Sequence, residues 1–440
     1  MRNLALFGGE KNLNIKWPEW PYSDDKEVKS LERVLKSKRW FSGFLGGDTD
    51  SEVGLFEKEY AEYNNSKHAI AVANGEAALI IALRSAGIGA GDEVILPAWT
   101  FVATATAAMH IGAIPVFADI TPENLCLDPE DVKAKLTDKT KAIITVHYGG
   151  KTGNIDELVD ISDRKKIILI EDAAHAQGSI YNGKKAGNFG HLGCFSFQES
   201  KTITSGEGGL LTTNDDEIAS LAKSYRSNGR SIGSPGYVHY RLGWNYRMTE
   251  FQGAILREQL KRLDNQVKKR TENAQILVNA IDEIQGFTPI QDSKKMEQNS
   301  YYLFPLRIDR KFFGITKENS LNYAKRKNIK RNNSLVPESL VIEDILKAEG
   351  LPCNTVYIPL YKSPLFDSKT WGKSGMQIFS KFLKNNINLN PLKNSDEAFD
   401  EVLDISHFVL LGDSNEIKTV INILKKVSRN ASEIKKELNS

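Results

Sequence analysis

The stretch Lys166–Gly178, reading KIILIEDAAHAQG, limits the fold more than any other. Its isoleucines and leucine leave no polar face for water, so it reads as a strand buried on both sides, as parallel strands covered by helices are. The run ends abruptly in Glu171 and Asp172, followed by small residues and His175. In open α/β sheets ligands gather outside the carboxyl ends of the strands, which puts Asp172 at a functional edge. Similar runs recur in HAIAV, DEVILP, AIPVFADI and AIITVHYGG, separated by helical stretches. That alternation predicts an α/β fold whose large domain has a mostly parallel sheet flanked by helices. Near Gly286 the pattern changes to NSYYLFPLRI and VPESLVIEDILKAEGLPC, which predicts a smaller α+β domain. The expected division is an amino-terminal arm over 1–24, a large domain over 25–285 and a carboxyl-terminal domain over 286–440.

A second stretch, Phe195–Asn214, reads FSFQESKTITSGEGGLLTTN and sets Lys201 between a strand and a glycine-rich turn. Glycines permit a tight backbone path that side chains would block, so the lysine can be held with its amine projecting into a pocket. Such a lysine can form a Schiff base. Alone, it also reads as one solvated cation among 58 Lys+Arg. Paired with Asp172 in the same sheet, it points to pyridoxal 5'-phosphate. That cofactor needs a lysine to hold its aldehyde and an anion beside its ring nitrogen. The glycines are followed by LLTTN, which reads as a strand, whereas a dinucleotide fingerprint requires a helix there.

The set EDAAHAQG, SFQESK and SGEGG resembles the DegT/StrS family of sugar aminotransferases, of the fold type I architecture, over about Phe7 to Gly412. The resemblance implies that Lys201 is both the cofactor's anchor and a general base, and that Asp172 keeps the ring nitrogen protonated. It implies that Phe101 stacks on the ring. The cofactor phosphate is expected on the backbone around Gly75, Glu76 and Ala77, because the first amides of a helix lack partners and favour anions. Ser196 and Asn245 complete that site by resemblance, Asn245 from a neighbouring subunit, which implies a homodimer with shared active sites. His175 is expected to tune the ring oxygen or Asp172, or to be an ordinary structural histidine. Glu76 departs from the family, which carries threonine there. A carboxylate aimed at a phosphate would repel it, so the expectation is that Glu76 gives only its amide and turns its side chain away.

The nearest motifs are those of scyllo-inosose aminotransferases and aminohydroxybenzoate synthase. The expected reaction moves an amino group from glutamate or glutamine to a keto-sugar or keto-cyclitol, in amino-sugar or secondary-metabolite biosynthesis. An aromatising lyase and a non-catalytic regulator that binds the cofactor stay open as alternatives. Lysine at 201 disfavours the family's dehydratases, which carry histidine there.

A net charge of +2 gives no argument for nucleic acid. Cys126, Cys194 and Cys353 are odd in number and far apart, so neither disulfides nor a metal site is expected. With no apolar run long enough to span a membrane, a cytoplasmic protein is expected. The basic run at 325–331 and the basic residues after Thr249 read as solvated, and the polar tail VSRNASEIKKELNS as frayed. The arm, rich in Trp, Pro and Gly, is expected to cross a neighbour or the active site.

Overall fold

The computed structural model describes residues 2–439 apart from 12–14, 44–49, 232, 234, 236, 330–331, 356 and 367–387, so the end of the 325–331 run lies outside the described residues. Among the described residues, nine strands precede the long helix: β1 (His68–Val72), β2 (Glu93–Pro97), β3 (Ile114–Ala118), β4 (Thr140–Val146), β5 (Ile168–Asp172), the short β6 (Ile180–Tyr181) and β7 (Lys184–Lys185), then β8 (Leu192–Ser196) and β9 (Gly209–Thr213). Seven of them form one sheet in the order β1-β9-β8-β5-β4-β2-β3. The pairings among β8, β5, β4, β2 and β3 are parallel, while β9 runs against both β1 and β8. The sheet is therefore mostly parallel, with one reversed strand made by the hairpin that carries Lys201. Leu169 to Asp172 are all buried, as a strand covered on both faces requires.

Helices α1 (Asp25–Ser37), α2 (Glu52–Asn64), α3 (Gly75–Ser85), α4 (Ala103–His110), α5 (Pro129–Lys135), α6 (Ile155–Lys165) and α7 (Asp216–Arg226) alternate with these strands, and the 32-residue α8 (Glu250–Ile281) follows. The basic residues of α8 are not simply solvated. Arg257 pairs with Glu52 and Glu59, Arg262 pairs with Asp24 and Glu27, and Arg270 is fully buried. The reason is that α1 and α2 bring their acids against this helix.

Beyond α8 come β10 (Phe287–Pro289), β11 (Met296–Gln298), β12 (Leu303–Ile308), β13 (Cys353–Asn354) and β14 (Val402–Ser406). A second, antiparallel sheet runs β10-β12-β14-β13, while β11 pairs with β6. One face of this sheet packs on helices, with Leu277, Phe304, Ile405, Leu424 and Ile434 in a common core. The chain's two end segments enter that core as well. Leu4 is fully buried in it, and the Ala5 N–H donates to Glu349 Oε1 at 2.9 Å. The tail is a helix over Ala431–Leu438, because Ala431, Ile434 and Leu438 share a buried stripe that its charged residues obscure in the sequence. The described part of the arm lies on its own chain: Trp17 Nε1 donates to the Gly350 carbonyl and Trp20 Nε1 to the Glu199 carbonyl. All three cysteines are buried and free. Among the described residues no helix is long and apolar enough to cross a membrane.

Candidate active site

A cavity of about 630 Å³ opens at the carboxyl ends of β4, β5 and β8, bounded by the start of α3 and by the Lys201 loop. Successive residues of a strand face opposite sides, and the two acids at the end of β5 divide accordingly. Glu171 is fully buried and accepts from the Gly187 and Gly190 amides at 2.7 Å, with His147 Nε2 at 2.8 Å. Asp172 faces the cavity instead. Its Oδ2 accepts from Thr104 Oγ1 at 2.9 Å and its Oδ1 from the Ala174 N–H at 3.3 Å. Burial pushes the Asp172 carboxyl above its ordinary range, while those two bonds and the Lys201 cation pull it back. A cationic N–H placed in the cavity would supply the counter-charge this carboxylate lacks.

Helix α3 starts at the same edge. The Asn74 side chain caps it by accepting from the Ala77 N–H at 2.8 Å. Ala77 therefore departs from expectation, since the cap occupies its amide and the residue does not line the cavity. The amides of Gly75 and Glu76 have no acceptor among the described residues. Gly75 lies so close to Ser196 that a Cβ on it would meet Ser196 Cβ at 2.8 Å. The Glu76 carboxylate turns onto α4, where Thr106 Oγ1 donates to it at 2.5 Å and His110 Nε2 lies at 3.8 Å.

Lys201 follows β8 in a loop tied to both sides of its hairpin. Its own N–H donates to the Gln198 carbonyl, and the Glu199 N–H donates to the Gly206 carbonyl. Gln177 holds this loop from beneath, donating to the Ser196 carbonyl at 2.7 Å and accepting from Thr202 Oγ1 at 3.1 Å. Lys201 Nζ lies over the Tyr302 ring, 4.2 Å from its centroid, and no acidic side chain among the described residues pairs with it. The ring attracts the ammonium through its quadrupole without neutralising it.

His175 is buried, with Nδ1 accepting from the Gly149 N–H at 3.4 Å and Nε2 lying 3.1 Å from the Tyr357 hydroxyl. Burial, and then the Lys201 and His147 charges, hold its pKa well below the usual histidine value. The ring is thus neutral, carries its proton on Nε2 and donates to Tyr357. No hydrogen bond joins it to Asp172. Phe101 stands at the cavity, 57% exposed, with its ring 6.5 Å from that of Tyr357. Asn245 is exposed, bridges Ser227 through the backbone and does not line its own chain's cavity.

Sequence reasoning passed over Thr104, Gln177, Tyr302 and Tyr357. The two tyrosines fall in NSYYLFPLRI and VYIPLYKSPLF, segments whose position could be read but whose individual side chains could not.

The model of the DegT/DnrJ/EryC1/StrS aminotransferase family matches residues 21–339. An L-glutamine:2-deoxy-scyllo-inosose aminotransferase from Streptomyces paromomycinus is 33% identical over 98% of this chain and 99% of its own length. Among solved structures, 3-amino-5-hydroxybenzoic acid synthase matches with a TM-score of 0.79 at 32% identity, covering 94% of this chain and 99% of that one. An E. coli GDP-4-keto-6-deoxy-D-mannose-3-dehydratase with bound hydrated PLP matches with a TM-score of 0.74 at 25% identity, covering 93% and 100%.

Proposed function

Because the chain belongs to the DegT/DnrJ/EryC1/StrS aminotransferase family, we propose that it uses pyridoxal 5'-phosphate to move an amino group from glutamine or glutamate to the carbonyl of a keto-cyclitol or keto-sugar. The observation that carries this reading is the convergence of the Lys201 amine, the Asp172 carboxylate and the open start of α3 on one cavity. Pyridoxal phosphate, when bound, supplies an aldehyde for the amines and a protonated ring that withdraws electrons from the reacting carbon. The residues fit such a group at both ends. The Gly75 and Glu76 amides with Ser196 would hold its phosphate, helped by a carboxylate that Thr106 and His110 keep turned aside. Asp172 would face the ring nitrogen, whose proton would offset the cost of its burial. Phe101 offers an uncovered ring face. Lys201 would anchor the cofactor, and its Nζ, held over the face of Tyr302, would carry a proton as the general base. His175, with its Nε2 proton committed to Tyr357, shapes the wall as a neutral donor.

We propose a homodimer in which Asn245 completes the partner's phosphate site. In support, Asn245 lies apart from its own cavity, in a segment that also carries the exposed Tyr237 and Leu242, each 87% exposed. We also keep the division at 24 and 285, since α8 ends at Ile281 and the second sheet begins at Phe287. The likeness to 3-amino-5-hydroxybenzoic acid synthase favours an aromatising lyase as the second reading.

Borohydride reduction of the yellow protein, followed by peptide mass spectrometry, should find the cofactor fixed to Lys201; a label on another lysine refutes the assignment. Incubation with glutamine and 2-deoxy-scyllo-inosose should give an amino-cyclitol, whereas turnover confined to aromatic precursors would favour the lyase.

A further inference from the structure

The loop that carries Lys201 belongs to the large sheet, yet the residues just before the lysine are held from elsewhere. Trp20 Nε1–H donates to the Glu199 carbonyl at 2.9 Å, and His407 Nε2–H donates to the Ser200 carbonyl at 3.0 Å. Ser200 Oγ lies 2.9 Å from the Tyr302 hydroxyl. Trp20 comes from the amino-terminal segment, Tyr302 from just before β12 and His407 from just after β14. The Trp20 and His407 rings meet edge to face at 4.5 Å, so each donor braces the other. Neither side chain lines the cavity containing Lys201. Both line a neighbouring cavity of about 540 Å³ that shares Gln198, Ser200 and Tyr302 with it.

Glu199 and Ser200 are exposed, so water would satisfy their carbonyls if Trp20 and His407 did not. The fold therefore has no need of these two bonds to avoid buried, unpaired acceptors. What they provide is geometry: two consecutive peptide units fixed on the amino side of the lysine, from outside the sheet that holds Asp172. Burial keeps His407 neutral, reinforced by the Arg270 and Lys201 charges, so its Nε2 proton is retained as a donor while Nδ1 stays unprotonated.

We propose that Trp20 and His407 are positioning residues for Lys201, setting the point from which its amine reaches the reacting atoms and coupling the amino-terminal segment and the second sheet to that amine. The inference rests on Lys201 being the reactive lysine. Misplacement of a reacting group by about 1 Å costs roughly a hundredfold in rate, so loss of either donor should be visible in turnover.

The test uses Trp20→Phe and His407→Phe, which keep ring packing and remove the donor, and His407→Gln, which restores an N–H. In cofactor-free protein, hydrogen exchange of a peptide spanning residues 198–205 should quicken about tenfold in both phenylalanine variants, with β5 unchanged, because the Glu199 and Lys201 amides report opening of this loop. In the holoenzyme, kcat should fall about 10- to 100-fold with KM for the keto substrate within twofold, and His407→Gln should recover part of the loss. Should His407→Phe fail to fold, the peripheral Trp20→Phe decides alone. If Trp20→Phe leaves both loop exchange and kcat within twofold of the parent while borohydride still labels Lys201, the positioning role is wrong and the assignment of Lys201 stands. If the label falls on another lysine, that assignment falls and the positioning role with it.

Discussion

Replacing Gly209 with alanine should do more damage than its size suggests. Gly209 opens β9 and pairs with both Val72 and Ser196, so it is fixed from two sides. A Cβ there would lie 2.1 Å from the Asn74 carbonyl oxygen, 2.3 Å from its carbon and 2.8 Å from the Gly75 nitrogen. Ordinary contact needs roughly 3.5 Å, so either β9 or the capped start of α3 must move by more than about 1 Å. Overpacking typically costs about 1–3 kcal/mol, and main chain on both sides puts this case at the upper end. Alanine regains about 0.5–1 kcal/mol over glycine in a strand, leaving a net loss of about 2 kcal/mol. At 1.4 kcal/mol per tenfold, that is about a thirtyfold change in the folding equilibrium. Urea unfolding of the cofactor-free protein should show the loss, and absorbance titration should show weaker cofactor binding because the Gly75 and Glu76 amides shift. Gly208→Ala is the control, since its Cβ would meet side-chain atoms of Ser205, Phe197 and Met248 at 3.0–3.3 Å that can give way. The reasoning fails if Gly209→Ala is as stable as the parent or milder than Gly208→Ala.

Two further outcomes are expected. Mixing an inactive Asn245→Ala protein with an inactive Lys201→Ala protein under subunit exchange should restore some activity, since one site of each mixed dimer carries neither lesion; full activity in a monomer would rule out the shared site. Asp404 is buried on β14, with Oδ2 accepting from Tyr148 at 2.6 Å, and burial lifts its pKa to about 7. A carboxyl raised above its unfolded value contributes stability that is full below about pH 4 and lost as pH rises through 7. Parallel denaturation at pH 5 and pH 8 should therefore show the stability of the parent relative to Asp404→Asn falling with pH, by at most about 3 kcal/mol, and a difference that grows with pH would overturn the assignment.

Asp172 and Lys201 could be singled out in the sequence because each is framed by a local pattern: an apolar run that stops, and a glycine-rich turn after a strand. Ala77 was misplaced because a helix's first amides divide between ligand and cap, and the Asn74 side chain takes the Ala77 N–H. Thr104 reaches Asp172, and Tyr302 and Tyr357 reach the cavity, from distant segments, and no local periodicity separates them from their neighbours. The arginines of α8 looked solvated because their acidic partners lie about 200 or more residues earlier in the chain. The terminal helix was hidden by having only three buried positions in eight residues.

The burial of Leu4 bears on how the protein is made. The segment around it is made long before the elements it docks on: Ala5 precedes Glu349 by 344 residues and Asn3 precedes Glu433 by 430. At roughly 5–20 residues per second, that leaves tens of seconds in which the large sheet and its lysine hairpin can assemble while the segment around Leu4 still lacks these partners. The His407 bond to the Ser200 carbonyl therefore forms late, because His407 follows Ser200 by 207 residues and is made after the whole large sheet and the Lys201 hairpin.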